Sequence, residues 1–333
     1  MNKKTIIVLI TSIFAFAIIF IAALLIGRYP ISIDDFFNAV FTSDAEYQIE
    51  RSVILNLRLP RTIMAGLAGI GLSLSGLLYQ EIFQNKLVSP DLLGVSTGAS
   101  VGASIAIVLG LSSIFISFLA FIVGIITVML TVLIAKLFKN GSSTILLLSG
   151  IIVAGFMSSV LSYIKYMADP ETTLASITYW MMGSFENSTM NQIYILFPVI
   201  LISTIILLVL SWRINIVSLG KEEAQTKGIN YKYYRYLIIF IATLLTSSVV
   251  AFNGTISWIG LVIPHIVRLM VGRNTRRTIP LCITFGGVFM IIVDILSRSF
   301  TDSEIPLSAV TGLFGTVIFV AILLYRRRTF DEN

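Results

Sequence analysis

The chain has 333 residues, of which 56% are hydrophobic and 12% charged, with a formal net charge of +6 and a mean hydropathy of +0.95. A soluble domain carries roughly 25% charged residues, so too little charge is present to cover a water-exposed surface, and the solvent of this chain is lipid. The positive balance needs no nucleic-acid partner, because membrane proteins concentrate Lys and Arg on their cytoplasmic side.

Lys3 and Lys4 open the sequence ahead of an apolar run over 5–26. Ala15-Phe16-Ala17 has the spacing of a cleavage site, yet the run continues past it with no polar boundary. It exceeds the apolar core of a signal peptide, about 7 to 15 residues, and reads as a retained first helix. Further apolar runs predict helices at 62–82, 92–110, 114–137, 144–167, 192–212, 236–253, 256–271, 279–297 and 307–325. Ten crossings put both termini on one side. The basic ends, Lys3-Lys4 and Arg326-Arg327-Arg328, make that side the cytoplasm, and 17 of the 23 Lys and Arg then lie on it. The expectation is an all-α, polytopic protein of the cytoplasmic membrane, a single transmembrane domain over 1–333 with a cytoplasmic segment at 213–235.

Two of these segments are unusual. The run at 256–271 is short for a crossing and contains Pro264, and the stretch from Pro90 to Gly110 is rich in glycine and serine. Broken helices persist at membrane depth where protein or a water-filled cavity satisfies the freed backbone. Gly94, Gly98 and Gly102 recur every four residues, a face that lets another backbone approach closely, either within the chain or along a path or subunit contact.

Arg58 and Arg61 stand at the outer mouth of the second helix and Arg298 at the outer end of the ninth. Arginine's planar fork suits bidentate capture of carboxylates on a partner; snorkelling, or pairing with outer acids such as Asp34, Glu50, Glu186 and Glu304, accounts for the same positions. Asp294 is the clearest acid within a span, one helical turn from Arg298, while Glu81 and Lys165 lie near span ends. On the cytoplasmic side, Lys221 to Lys227 reads as a short helix bounded by Gly220 and Gly228, a handle for a soluble partner or simply a surface loop.

Enzymatic chemistry has little to work with. His265 is the only histidine and Cys282 the only cysteine, which leaves no metal set, no disulfide and no clustered nucleophile. His265, beside Pro264, reads as a structural or hinge residue. No G-x-x-x-x-G-K-[ST] phosphate loop occurs, so no cofactor and no nucleotide site are expected. An ion-coupled carrier would need several intramembrane acids or bases, and only Asp294 is evident.

Six ordered markers together resemble a known family: Arg58-Leu59-Pro60-Arg61; Asn85 through Ala99; Tyr179-Trp180-Met181-Met182-Gly183-Ser184; Leu219-Gly220 through Gly228; Gly260 through Arg268; and Glu304-Ile305-Pro306. The chain is similar to the FecCD-type, or type II, permeases of binding-protein-dependent ABC importers for iron-siderophores, haem and cobalamin. Lys86 and Asp91 depart from the pattern, which has Pro or a similar residue and Gly at those positions. The resemblance implies a homodimer, or a heterodimer with a paralogue, of ten-helix subunits around a central path flanked by the fifth and tenth helices. It implies two cytoplasmic ATPase subunits docking at Leu219, Gly220, Lys221, Glu222, Glu223, Ala224 and Gly228. An extracytoplasmic binding protein would present glutamates to Arg58, Arg61 and Arg298. Asn85 and Leu87, with Ser143 and Thr144, match a cytoplasmic gate. The cargo the resemblance favours is an iron(III)-siderophore, ahead of haem and cobalamin.

Overall fold

A computed structural model describes residues 3–42, 44–138 and 142–331. Lys139 lies outside the described residues, as do the side chains of Arg326, Arg327 and Arg328. The helices are α1 (Lys3–Leu25), α2 (Ile33–Phe41), α3 (Gln48–Ser52), α4 (Leu59–Ile82), α5 (Val95–Val108), α6 (Ser113–Leu137), α7 (Ser143–Met167), α8 (Thr173–Met182), α9 (Met190–Val217), α10 (Lys221–Thr226), α11 (Tyr231–Asn253), α12 (Ile259–Val271), α13 (Thr275–Ser299) and α14 (Leu307–Asp331). No strand occurs among the described residues.

Seven helical stretches are long and apolar enough to cross a bilayer, and α5, α12 and the start of α14 are shorter apolar helices. At 1.5 Å per residue, the 14 residues of α5 and 13 of α12 span only about 20 Å, short of the roughly 30 Å hydrocarbon core. Each is completed by irregular backbone. A 3-10 turn, Pro90–Leu93, leads into α5 through Gly94, whose φ of +83° is left-handed. Ahead of α12, the segment after Asn253 is held by neighbouring loops: Ser184 N–H donates to Asn253 O at 3.0 Å, and Thr255 Oγ1 donates to Met181 O. Protein thus supplies the partners that lipid cannot.

Three elements exceed the sequence expectation: the outer helices α2 and α3, and α8 ahead of α9. The helix predicted at 62–82 is longer still, since α3 runs through a π-turn, Val53–Arg58, directly into α4. Arg51, Arg58 and Arg61 hide this continuity from a hydropathy scan, yet the fold engages each of them, Arg51 on the Ala39 carbonyl, Arg58 on the Leu24 carbonyl and Arg61 on Asp294.

Helix α4 is the centre of the bundle. Its most apolar window is 89% buried, against 11% for the peripheral α1. The sequences explain the difference. Helix α1 is studded with Ile and Phe suited to acyl chains, whereas α4 carries Gly66, Gly69, Gly71 and Gly76 among Ala and Ser. In lipid, helices associate by close backbone approach and interhelical hydrogen bonds rather than by hydrophobic burial. A β-carbon at Gly69 would overlap the Gly286 carbonyl of α13, and one at Gly76 would overlap Gly260 of α12. Ser73 Oγ donates to Cys282 O at 2.8 Å, Ser75 Oγ to Ala242 O at 2.9 Å, and Gln80 Nε2 to Gly260 O at 3.1 Å. Helix α4 is thereby tied to α11, α12 and α13.

Candidate functional site

The outer ends of α1, α4 and α13 meet at a charged cluster. Arg61, on the first turn of α4, reaches two acids: its Nε lies 2.6 Å from Asp294 Oδ1, and its Nη1 and Nη2 fork onto Glu304, the latter at 3.0 Å. Arg298 Nε stands 3.3 Å from the second oxygen of Asp294, one turn away on α13. Asp294 is fully buried and the arginines nearly so, at 4%, 7% and 6% exposure for Arg58, Arg61 and Arg298. Two guanidiniums and two carboxylates balance, which is what makes charge tolerable at this depth.

Arg58 and Arg298 have a second task. Arg58 donates to the carbonyls of Leu24, Leu25 and Tyr29 at 2.8, 2.7 and 2.5 Å, and Arg298 donates to Ala23 O at 2.5 Å. Those of Ala23, Leu24 and Leu25 are orphan carbonyls at the C-terminus of α1, where positive charge also complements the helix dipole, and Tyr29 lies in the segment that follows it. The two side chains therefore cap α1 and hold it against the bundle.

All three arginines line one recess of about 290 Å³, together with Gly27, Arg28, Tyr29, Val53, Leu57, Glu186 and Glu304. Arg28 is exposed at its rim. Four arginines stand against Glu186, Glu304 and the buried Asp294 behind them, so the recess is net positive. Tyr29 donates to Glu50 Oε1 at 2.8 Å, and that hydrogen bond raises its phenol above the usual range. The sequence pattern singles out Arg58, Arg61 and Arg298, and the structure gathers them in this recess. The pattern passes over Arg28, whose only signal is a cation immediately beyond the outer end of the first span.

The cytoplasmic face carries the remaining candidates. Helix α10 begins after Gly220, with φ of +123°, and closes on Gly228, with φ of +70°; Ile229 N–H returns to Ala224 O at 2.9 Å. Ala224 is fully buried and anchors the helix, leaving Lys221, Glu222 and Glu223 exposed. Leu219, just ahead, is 52% exposed. In the turn after α4, Asn85 Oδ1 accepts the Leu87 N–H at 3.0 Å, and both side chains face outward. Ser143 Oγ, at the start of α7, reaches Ile82 O at 3.4 Å, so the two predicted gate segments adjoin; Thr144 is exposed.

Gly98 and Gly102 face α6, where β-carbons would overlap Thr127 and the Leu119 carbonyl respectively. Gly94 serves instead as the left-handed junction before α5. His265 is buried on α12 and packs edge-on against Phe319 of α14, with ring centroids 5.8 Å apart. No group of three His, Cys, Asp or Glu suited to a metal occurs among the described residues.

Comparison with known proteins gives a consistent picture. The model of the FecCD transport family matches residues 15–325. The molybdate import system permease protein MolB of Haemophilus influenzae is 37% identical over 92% of this chain and 92% of its own length. An iron chelatin transport system permease protein of Helicobacter pylori is 34% identical, covering 94% of this chain and 97% of its own length. A solved structure of a metal-chelate type ABC transporter in an inward-facing conformation superposes with a TM-score of 0.86 at 36% identity, covering 96% of this chain and 98% of the other.

Proposed function

Since the chain belongs to the FecCD transport family, as a multi-pass permease of the ABC-importer type, we propose that it forms the membrane path for an iron(III)-siderophore. Two such subunits enclose the path, separate cytoplasmic ATPase subunits drive it, and an extracytoplasmic binding protein delivers the cargo. Work comes from the ATPases, whose closure shifts the equilibrium between outward-open and inward-open arrangements.

The observation that carries the cargo class is the exposed face of α7. Gly155, Ser158, Ser159 and Ser162 lie along it, a hydroxyl-bearing stripe on an otherwise apolar helix, with no ionisable side chain from Ser143 through Ser162. Helix α14 exposes Leu313, Thr316 and Val317. Walls of hydroxyl and hydrocarbon offer no carboxylate, thiolate or imidazole ligands to a bare cation. They suit a cargo whose metal is already wrapped in its own donors and whose charge is dispersed. The likeness to a permease named for molybdate supports a second reading, in which the cargo is a tetrahedral oxyanion.

At the outer face the recess around Arg58, Arg61 and Arg298 is the docking site for carboxylates of the binding protein. Those three guanidiniums are held by Leu24, Leu25, Tyr29, Asp294, Glu304 and Ala23, so the exposed Arg28 at the rim is the cation an incoming carboxylate meets first. At the inner face α10 and Leu219 engage the ATPase, and the segments at Asn85–Leu87 and Ser143–Thr144 close the path. The decisive experiment measures binding of ferric siderophores and of molybdate to the cognate binding protein. Uptake follows, in proteoliposomes holding the complete complex. Siderophore binding and ATP-dependent siderophore uptake are expected. Uptake of molybdate alone replaces the first reading with the second, and uptake without nucleotide refutes both.

A further inference from the structure

A second polar recess, of about 400 Å³, opens among the cytoplasmic ends of α4, α9 and α12. Its walls carry the cations Lys86, Arg268 and Arg273, one acid, Glu81, and the amides and hydroxyl of Gln80, Gln84, Asn215, Asn274 and Ser218. Arg268 is the element that needs explaining. Its side chain is 92% buried, as 8% exposure implies, and Nη1 is engaged by Glu81 Oε1 at 3.2 Å, but Nε and Nη2 have no hydrogen-bond partner. Gln80 Oε1, on the same wall, is likewise buried without one. Buried polar groups are ordinarily satisfied, and an idle guanidinium edge is costly.

Helix ends alone do not account for the cluster. Cations at C-termini complement the helix dipole, yet a capping arginine spends its N–H groups on terminal carbonyls, as Arg58 does on α1. Arg268, in the lining of the recess, spends one on a carboxylate and leaves Nε and Nη2 without a partner. With three cations against one acid, the lining attracts negative charge. An arginine fork with free donors matches a tetrahedral oxyanion, and the unused Gln80 oxygen suits a hydroxyl on such a group.

Depth bears on the source. Trp212, 52% exposed, lies one turn before Asn215 on α9, and Tyr233, 60% exposed, opens α11. Exposed Trp and Tyr settle at the headgroup level, a depth from which lipid headgroups can reach the recess. Basic pockets between spans on that side are suited to acidic headgroups. We propose that this recess binds a phosphate-type oxyanion, presented as the headgroup of an anionic phospholipid or as free phosphate. Because Ser218 and Leu219 line it directly before α10, occupancy pins the junction between α9 and α10 to the end of α4.

The test uses the full-length purified chain. In detergent, thermal unfolding is followed with potassium phosphate against potassium chloride at matched ionic strength. In nanodiscs, it is followed with phosphatidylglycerol doped into phosphatidylcholine. Stabilisation by phosphatidylglycerol, by phosphate, or by both is expected, and the arm that responds identifies the source. Arg268→Gln removes the fork. Arg273→Glu, at an exposed rim position, keeps the test decisive should the first variant misfold; its affinity is expected to fall about tenfold. Arg276→Glu, exposed nearby but outside the recess, is expected to behave as the unmodified chain. No stabilisation in either arm, or a response that Arg273→Glu leaves unchanged, overturns the proposal.

Discussion

Asp294 is the keystone of the outer cluster, and its removal has a calculable consequence. It is fully buried and binds Arg61 with one oxygen and Arg298 with the other. Asp294→Asn leaves two buried guanidiniums facing each other with only Glu304 to compensate. Removing one partner from a buried ion pair costs on the order of 3–5 kcal/mol. Glu304 is the internal control, since its side chain is 20% exposed and water replaces part of what Glu304→Gln removes; about 1 kcal/mol is expected there. Arg61→Gln combined with Asp294→Asn takes out one charge of each sign and is expected to recover part of the loss, with a coupling of roughly 0.5–3 kcal/mol. The assay is the fraction of protein remaining monodisperse after graded heating in detergent. Equal losses for Asp294→Asn and Glu304→Gln, or a double variant no better than Asp294→Asn alone, refute the reading of this cluster as a balanced buried network.

Close helix approach predicts that Gly76→Ala, whose β-carbon meets the Gly260 backbone, sharply lowers folded yield, while Gly155→Ala, with nothing within 4 Å, leaves it unchanged; size-exclusion profiles distinguish them. Arg58→Met is expected to release the C-terminus of α1 at a cost of roughly 1–3 kcal/mol, read as faster proteolysis across residues 26–30. Charge reversal at exposed Glu222 and Glu223 is expected to weaken the ATPase contact and uncouple hydrolysis from uptake without loss of folded permease; normal coupling in reconstituted complex argues against α10 as the contact. Because the Glu50 hydrogen bond raises the Tyr29 phenol, the folded form holds that proton longer than the unfolded one. The contribution is complete below the unfolded value, about 10, and declines as pH rises beyond it. Tyr29→Phe is expected to lack that alkaline decline in a thermal unfolding series.

The cytoplasmic elements were legible because their signals are local. Gly220 and Gly228 bracket α10 in the sequence as they do in the fold, since a left-handed junction is a property of one residue and its neighbours. The same holds for α6 and α7, whose apolar runs match their helices within a residue or so. Helix α8 was missed because its ten residues fall short of a crossing. The run from α3 through α4 was missed because Arg51, Arg58 and Arg61 interrupt the apolar pattern.

Composition determined that this protein lives in lipid, and the asymmetry of Lys and Arg determined which way round, because both are one-body effects: each residue's transfer free energy counts wherever its neighbours are. What the charged and small residues do is a pair property. Only the tertiary structure decided that Asp294 serves two arginines from two helices and that Arg58 and Arg298 close off α1. It alone set Arg268 with spare donors over a recess, since the residues concerned lie up to 275 positions apart in the chain and hydrocarbon leaves a polar group no partner except another part of the same fold.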